Sequence, residues 1–198
     1  MKKVAILILS AGASKRMGTP KQLLKWGKET LLENAVSTAV NVENASLFVV
    51  LGANAELIQQ KITLNAEALY HKDWEQGLGS SIAFGVGTLQ KLDFDGVLIM
   101  LADQPFVTSY YLKELINSFN SGEKNIIASR FAGSVGVPAI FSAEYFEDLK
   151  KLDTDTGAKH IIKSHFQDVE TFQADDLVID IDTVETYKRA YKIKFNTD

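Results

Sequence analysis

The sequence predicts an α/β fold with a mostly parallel central sheet, and three observations carry that reading. Apolar, β-branched runs recur at residues 4–9, 47–51, 97–101 and 125–129 with stretches of helical character between them, the alternation that βαβ units produce. The first run has no polar alternation, as a central strand covered on both faces requires. The 198 residues suit one domain, 1–198, which would bury roughly 70% of its unfolded surface. No linker, repeat or low-complexity tract divides it.

Taken in order, the 4–9 strand leaves the sheet at Ser10 and enters a loop of small residues, Ala11, Gly12, Ala13 and Ser14. Thr30 followed by Glu33 forms a capping box ahead of Leu31, Leu32, Ala35, Val36 and Ala39, and Asn54 is placed to cap a helix over 55–62. Residues 80–91 and 108–119 read as two further helices. Beyond Arg130 the pattern is less regular: strands at 137–141, 169–172 and 178–180, helices at 143–152 and 156–165, together expected as an insertion over the mouth of a site. Ligands of open parallel sheets bind beyond the carboxyl ends of the strands, so chemistry is expected around Ser10, Gly52, Ala102 and Arg130.

Charge is distributed unevenly. The first 28 residues hold seven Lys and Arg and no acid, while the remaining 170 hold 14 bases against 25 acids. An anionic ligand is expected at the amino-terminal end. The overall charge of -4 argues against a general nucleic-acid surface. The absence of cysteine removes disulfides, thiolate catalysis and sulfur-ligated zinc. The first apolar run, six residues long, falls far short of the roughly 20 needed to cross a bilayer, so a soluble cytoplasmic protein is expected.

The segment 9–21, Leu-Ser-Ala-Gly-Ala-Ser-Lys-Arg-Met-Gly-Thr-Pro-Lys, joins the strand to small residues that let backbone N–H groups approach a ligand. Lys15, Arg16 and Lys21 then follow, a combination suited to a polyphosphate. Its spacing matches neither the P-loop nor the dinucleotide fingerprint. Asp103, at the end of the 97–101 strand, either caps the turn before Pro105 or ligates a hard cation; Mg²⁺ takes one or two carboxylates plus phosphate oxygens. Asp180 and Asp182 supply a second carboxylate, with Asp182 alternatively capping the last helix. Residues 74–81 form a glycine-rich turn opening a helix, where Gly79 or Ser80 serves as cap, as ligand to a ribose or base, or as both. Gly136 and Pro138 either line an acceptor side of the cleft or belong to a loop entering a strand. His71, His160 and His165 lack metal-ligand spacing.

These residues resemble the MobA-like nucleotidyltransferase family, particularly its molybdenum cofactor cytidylyltransferase branch. The motifs that carry the resemblance are residues 9–18 with 20–24, 74–81, 101–105, 136–141, 155–159 and 180–183. The resemblance implies a Rossmann-like three-layer domain of the nucleotide-diphospho-sugar transferase type that binds a nucleoside triphosphate and Mg²⁺. It implies nucleotide contacts from Leu9, Ala11, Gly12, Arg16, Lys21, Gly79 and Ser80, acceptor contacts from Gly136 and Pro138, and a metal on Asp103 and Asp182. Lys21, Arg16 and Asp103 would carry catalysis. CTP is the favoured donor and molybdopterin the favoured acceptor, with a molybdoenzyme as recipient. Two departures stand out: Leu-Ser-Ala-Gly replaces the usual Leu-Ala-Ala-Gly, and Gly-Val-Pro stands where this branch often has Gly-His-Pro. A sugar 1-phosphate or polyol phosphate is the alternative acceptor. A non-catalytic cofactor carrier is the alternative of another class.

Overall fold

The computed structural model describes residues 1–153 and 157–196. Its first strand, β1 (Val4–Ser10), is buried along its full length. A small hairpin of β2 (Lys25–Trp26) and β3 (Glu29–Thr30) follows, then α1 (Leu31–Val40), β4 (Ala45–Leu51), α2 (Ala55–Lys61), β5 (Glu67–Tyr70), α3 (Leu78–Leu89) and β6 (Gly96–Leu101). The second half contributes α4 (Ser109–Ser121), β7 (Ile126–Phe131), β8 (Ser134–Ser142), α5 (Phe146–Leu149), α6 (Lys159–Ser164), β9 (Val169–Gln173) and α7 (Val184–Phe195).

Seven strands form one sheet in the order β5-β4-β1-β6-β8-β7-β9. All pairings are parallel except those of β8, which runs antiparallel to β6 and to β7. The fold is therefore the expected three-layer α/β arrangement around a mostly parallel sheet. Alternation along β1 divides the core. Val4, Ile6 and Ile8 pack with Leu32 and Val36 of α1, Ile58 of α2 and Leu112 of α4, while Ala5, Leu7 and Leu9 pack with Ile82 and Val86 of α3 and with Phe146 and Ile162. At roughly 2 kcal/mol for each fully buried aliphatic side chain, this two-sided burial makes β1 the centre of both core layers.

Local signals set several boundaries. The capping box forms as the sequence indicates: Glu33 N–H donates to Thr30 Oγ1 at 3.2 Å and Thr30 N–H to Glu33 Oε2 at 2.8 Å. Thr108 caps α4 through Tyr111 N–H. Asn54 precedes α2, but its side chain makes no cap bond. Helix α3 begins at Leu78, behind Gly77, so neither Gly79 nor Ser80 is its cap. Thr183, rather than Asp182, caps α7. The expected helix at 156–165 begins partly outside the described residues, as does the 155–159 motif.

Two expectations about the second half are corrected. The stretch beyond Arg130 does not form an insertion over the site, because β8 and β9 extend the same sheet. Residues 178–180 are not a strand. After edge strand β9 the chain turns, with Leu177 and Val178 N–H both donating to Ala174 O, and runs back to the loop after β6. It has no neighbouring strand to pair with there. Its apolar residue Ile181 instead anchors a third core cluster with Met17, Trp26, Leu31 and Ala190.

Candidate active site

The glycine-containing loop leaves β1 at the carboxyl edge of the sheet and is held open by a side chain. Gln22, 3% exposed, donates from Nε2 to the carbonyls of Ser10 at 3.0 Å and Gly12 at 2.8 Å. With those carbonyls drawn inward, the loop can keep its remaining backbone groups for a ligand. Ser14 takes a left-handed conformation, φ 55°, and its Oγ accepts the N–H of Lys21 at 3.0 Å. That bond closes the loop and sets where Lys21 begins. The 3₁₀ turn Lys15–Met17 is fixed by burial of Met17.

Neighbouring strand ends brace the same loop. Ala53 N–H donates to Ala11 O at 3.0 Å, and Ala102 N–H donates to Leu9 O at 3.1 Å. Gly52 is required by close approach: a Cβ there would lie 2.6 Å from Ala11 O and 2.6 Å from Trp74 Cβ. Gly77, at φ 109°, makes the turn into α3 that side-chain-bearing residues disfavour.

The charged centre forms where the loop after β6 meets the returning 180–182 segment. Ile181 N–H donates to Asp103 O at 3.0 Å, which brings Asp182 beside Asp103. Lys21 Nζ reaches both carboxylates, bonding Asp103 Oδ2 and, at 3.1 Å, Asp182 Oδ1. Arg16 Nη2 takes the other oxygen of Asp182 at 3.0 Å. Gln104 Nε2 holds Asp180 Oδ1 at 2.9 Å, so Asp180 turns to Gln104 while Asp182 turns to the cations. The alternation expected for a strand does not apply to this irregular segment.

Charge states follow from burial and pairing. Burial acts to lower the Lys21 ammonium, but Asp103 and then Asp182 outweigh it and hold it above the ordinary lysine value. Burial raises the Asp103 carboxyl, an effect Lys21 only partly offsets. For Asp182, burial acts upward and is overcome by Lys21 and Arg16, leaving it below the ordinary carboxylate value.

A cavity of about 750 Å³ opens over this centre, within the size range of nucleotide-sized ligand sites. Leu9, Ala11, Gly12, Arg16, Lys21, Asp103 and Asp182 all line it, as does Lys15. Gly79 and Ser80 do not. Both are buried, and Ser80 Oγ sits 2.8 Å from His71 Nε2, beneath the helix. Their neighbours Trp74, Glu75, Gly77, Leu78 and Ser81 line the cavity instead. Placing the helix start at Leu78 explains this, since Leu78 and Ser81 share a face at i,i+3 spacing. Gly136 and Pro138 are also outside the lining, buried within β8, where Gly136 faces the ring of Phe131. Arg130 lies farther along the sheet and contributes nothing to the cavity wall.

The donor set fits a divalent ion held jointly with phosphates. Among the described residues no group of three or more His, Cys, Asp and Glu forms a self-sufficient metal site. Asp103 and Asp182 nevertheless offer hard oxygen donors that already face a cationic group, and Mg²⁺ binds through one or two carboxylates with phosphate and water completing its shell.

Comparison with known proteins decides the family. Residues 6–169 match the family model for the MobA-like NTP transferase domain. The chain belongs to the MobA-like NTP transferases. This MobA-like chain is similar to the purine catabolism protein PucB of Bacillus subtilis, with 30% identity over 80% of each chain. It shares 31% identity with nicotine blue oxidoreductase of Paenarthrobacter nicotinovorans, over 68% of this chain and 64% of that one. Among solved structures, Rv0371c of Mycobacterium tuberculosis superposes with a TM-score of 0.86 at 28% identity, covering 96% of this chain and 98% of that one. The same protein in complex with manganese superposes with a TM-score of 0.83 at 25% identity over the same shares. The MobA-like chain is accordingly a nucleotidyltransferase. No helix among the described residues is long and apolar enough to cross a membrane.

Proposed function

We propose that this nucleotidyltransferase moves CMP from CTP onto the phosphate of molybdopterin, releases pyrophosphate, and uses Mg²⁺ held by Asp103 and Asp182. One observation carries the reading. Lys21 bridges two carboxylates that lie far apart in sequence, at the edge of a small-residue loop whose backbone faces a cavity of about 750 Å³. The choice of CTP and molybdopterin rests on the resemblance to the molybdenum cofactor cytidylyltransferase branch. The manganese complex of Rv0371c supports a divalent ion in a related fold.

The chemistry follows from charge. A phosphate oxygen of the acceptor attacks the α-phosphorus in line, the bond from α-phosphorus to the bridging oxygen breaks, and pyrophosphate leaves with that electron pair. The acceptor oxygen is already anionic at neutral pH, so no general base is required. Catalysis reduces to positioning and neutralisation. Ala11 and Gly12 present the loop backbone to the nucleotide, with Leu9 forming the adjoining wall. Lys21 stabilises charge that grows on the α-phosphate, and Arg16 steadies the departing pyrophosphate. A divalent ion on Asp103 and Asp182 would supply further neutralisation of phosphate oxygens.

A thermal-shift panel of CTP, GTP, ATP and UTP with and without Mg²⁺ tests the donor. At about a hundredfold excess over Kd, CTP with Mg²⁺ should raise Tm by roughly 5–10 °C, the other bases by much less. Pyrophosphate release is then measured with molybdopterin and with sugar 1-phosphates. Selective stabilisation by GTP, or release only with a sugar phosphate, overturns the assignment of substrates. Tight cofactor binding with no Mg²⁺-dependent release would indicate a carrier.

A further inference from the structure

The ammonium of Lys21 and a divalent ion have claims on the same oxygens. Lys21 Nζ bonds one oxygen of Asp103 and one of Asp182, while Arg16 covers the second oxygen of Asp182. Lys21 is largely buried, with 20% of its side chain exposed against 12% for Asp103. Its backbone is fixed at both sides, through Ser14 Oγ on its N–H and through the buried Gln22 that follows it. The contact is thus a seated one and not a chance encounter of surface chains. A divalent ion brought to carboxylates that already bond Lys21 and Arg16 meets the charge of both, and that repulsion is strong where solvent is partly excluded.

We infer that Lys21 acts as an internal placeholder cation that closes the carboxylate pair to free metal until triphosphate draws it away, so that metal and nucleotide bind as coupled ligands. The pair is already neutralised without metal, which lowers its attraction for a free divalent ion. A triphosphate in the cavity offers Nζ an alternative anionic partner a short distance along the same wall, since Lys21, Gly12 and both carboxylates line one space. Once Nζ moves to phosphate, Asp103 is left without its cation and Asp182 keeps only Arg16, and the pair takes up the ion. By linkage, whatever factor nucleotide gains from metal, metal gains from nucleotide. Lys21 therefore has two roles separated in time, counter-ion of the carboxylates first and counter-ion of the phosphate afterwards.

This inference rests on reading Asp103 and Asp182 as the metal pair, and its test contains neither donor base nor acceptor. Binding of Mn²⁺ alone is measured by electron paramagnetic resonance on the full chain, wild type and Lys21→Met. A residue that served only phosphate would leave metal affinity unchanged on removal. The placeholder role requires the opposite: Lys21→Met should bind Mn²⁺ about tenfold tighter than wild type, a typical coupling factor. Lys21→Arg, which keeps a cation, should show no such gain, and adding Asp182→Asn to Lys21→Met should abolish it. A measurement on the unmodified protein covers failure of the variant to fold. Acetylation of Lys21 by an N-hydroxysuccinimide ester, followed by mass spectrometry, should accelerate once Mn²⁺ is high enough to compete for the pair, because the displaced Nζ leaves the seat between Asp103 and Asp182 that shields it from the reagent. Equal or weaker Mn²⁺ binding by Lys21→Met, or acetylation indifferent to Mn²⁺, overturns the placeholder role alone. No Mn²⁺ binding by either form overturns the metal assignment as well.

Discussion

At the scale of single residues, Lys21 and Gln22 divide the work between charge and geometry. Lys21→Met should lower turnover roughly 10²- to 10³-fold at saturating CTP, by analogy with loss of one preorganised donor, while nucleotide affinity changes less. Steady-state kinetics of pyrophosphate release checks this. The same variant has a pH signature. Lys21 is raised above its ordinary value, so its stabilisation is fully present below about 10.5 and disappears as pH climbs through the folded value. Asp103 is raised by burial, so its ionised form costs stability at neutral pH, and more so once Lys21 is gone. Lys21→Met should therefore be less stable than wild type by about 2–3 kcal/mol at pH 8, a deficit that narrows toward pH 5 as Asp103 takes up a proton. Urea unfolding at the two pH values reads the difference. Gln22→Glu replaces a buried donor with an acceptor facing the carbonyls of Ser10 and Gly12. The expected outcome is a ten- to hundredfold rise in the KM for nucleotide, from a penalty of about 1–3 kcal/mol, with kcat less affected.

At the scale of elements, the caps and the turn into α3 show which local signals translate directly into structure. The box at Thr30 needs only neighbours three residues apart, so it was legible in the sequence and forms with both bonds. Thr30→Ala should cost about 1 kcal/mol and lower Tm by roughly 2–4 °C without changing nucleotide affinity, because α1 only adjoins the site. Helix α3 was harder to read. Its first residue sits two positions earlier than its hydroxyls suggest, and that shift rotates Ser80 toward His71 and Ser81 toward the cavity. Helical phase turns by about 100° per residue, so the adjacent buried hydroxyls of Ser80 and Ser81 face different ways and only Ser81 lines the cavity. Strand β5 escaped the sequence reading for a different reason. It is a short edge strand with one buried residue, Leu69, and carries too little pattern to separate it from loop.

At the scale of the whole molecule, the site depends on a return path. The chain passes to the far edge at β9, then crosses back so that Ile181 packs in the third core cluster and Asp182 meets Lys21. Ile181, fully buried, is the anchor of that path. Ile181→Ala should destabilise the protein by about 2–5 kcal/mol through the cavity it leaves, and should weaken Mn²⁺ retention in the nucleotide complex in proportion to the disorder of Asp182. Denaturant unfolding together with metal titration checks both effects. The sequence by itself determined the alternating layers, the buried central strand, the small-residue loop and the concentration of positive charge at one end, because each is written in neighbours or in a period. Only the tertiary structure decided that Gly136 and Pro138 lie inside a strand, that β8 and β9 extend the sheet instead of covering the site, and that Lys21 stands between Asp103 and Asp182. Those outcomes turn on contacts between residues as many as 161 positions apart, which no local pattern encodes and which burial of Ile181 and its backbone bond to Asp103 bring about.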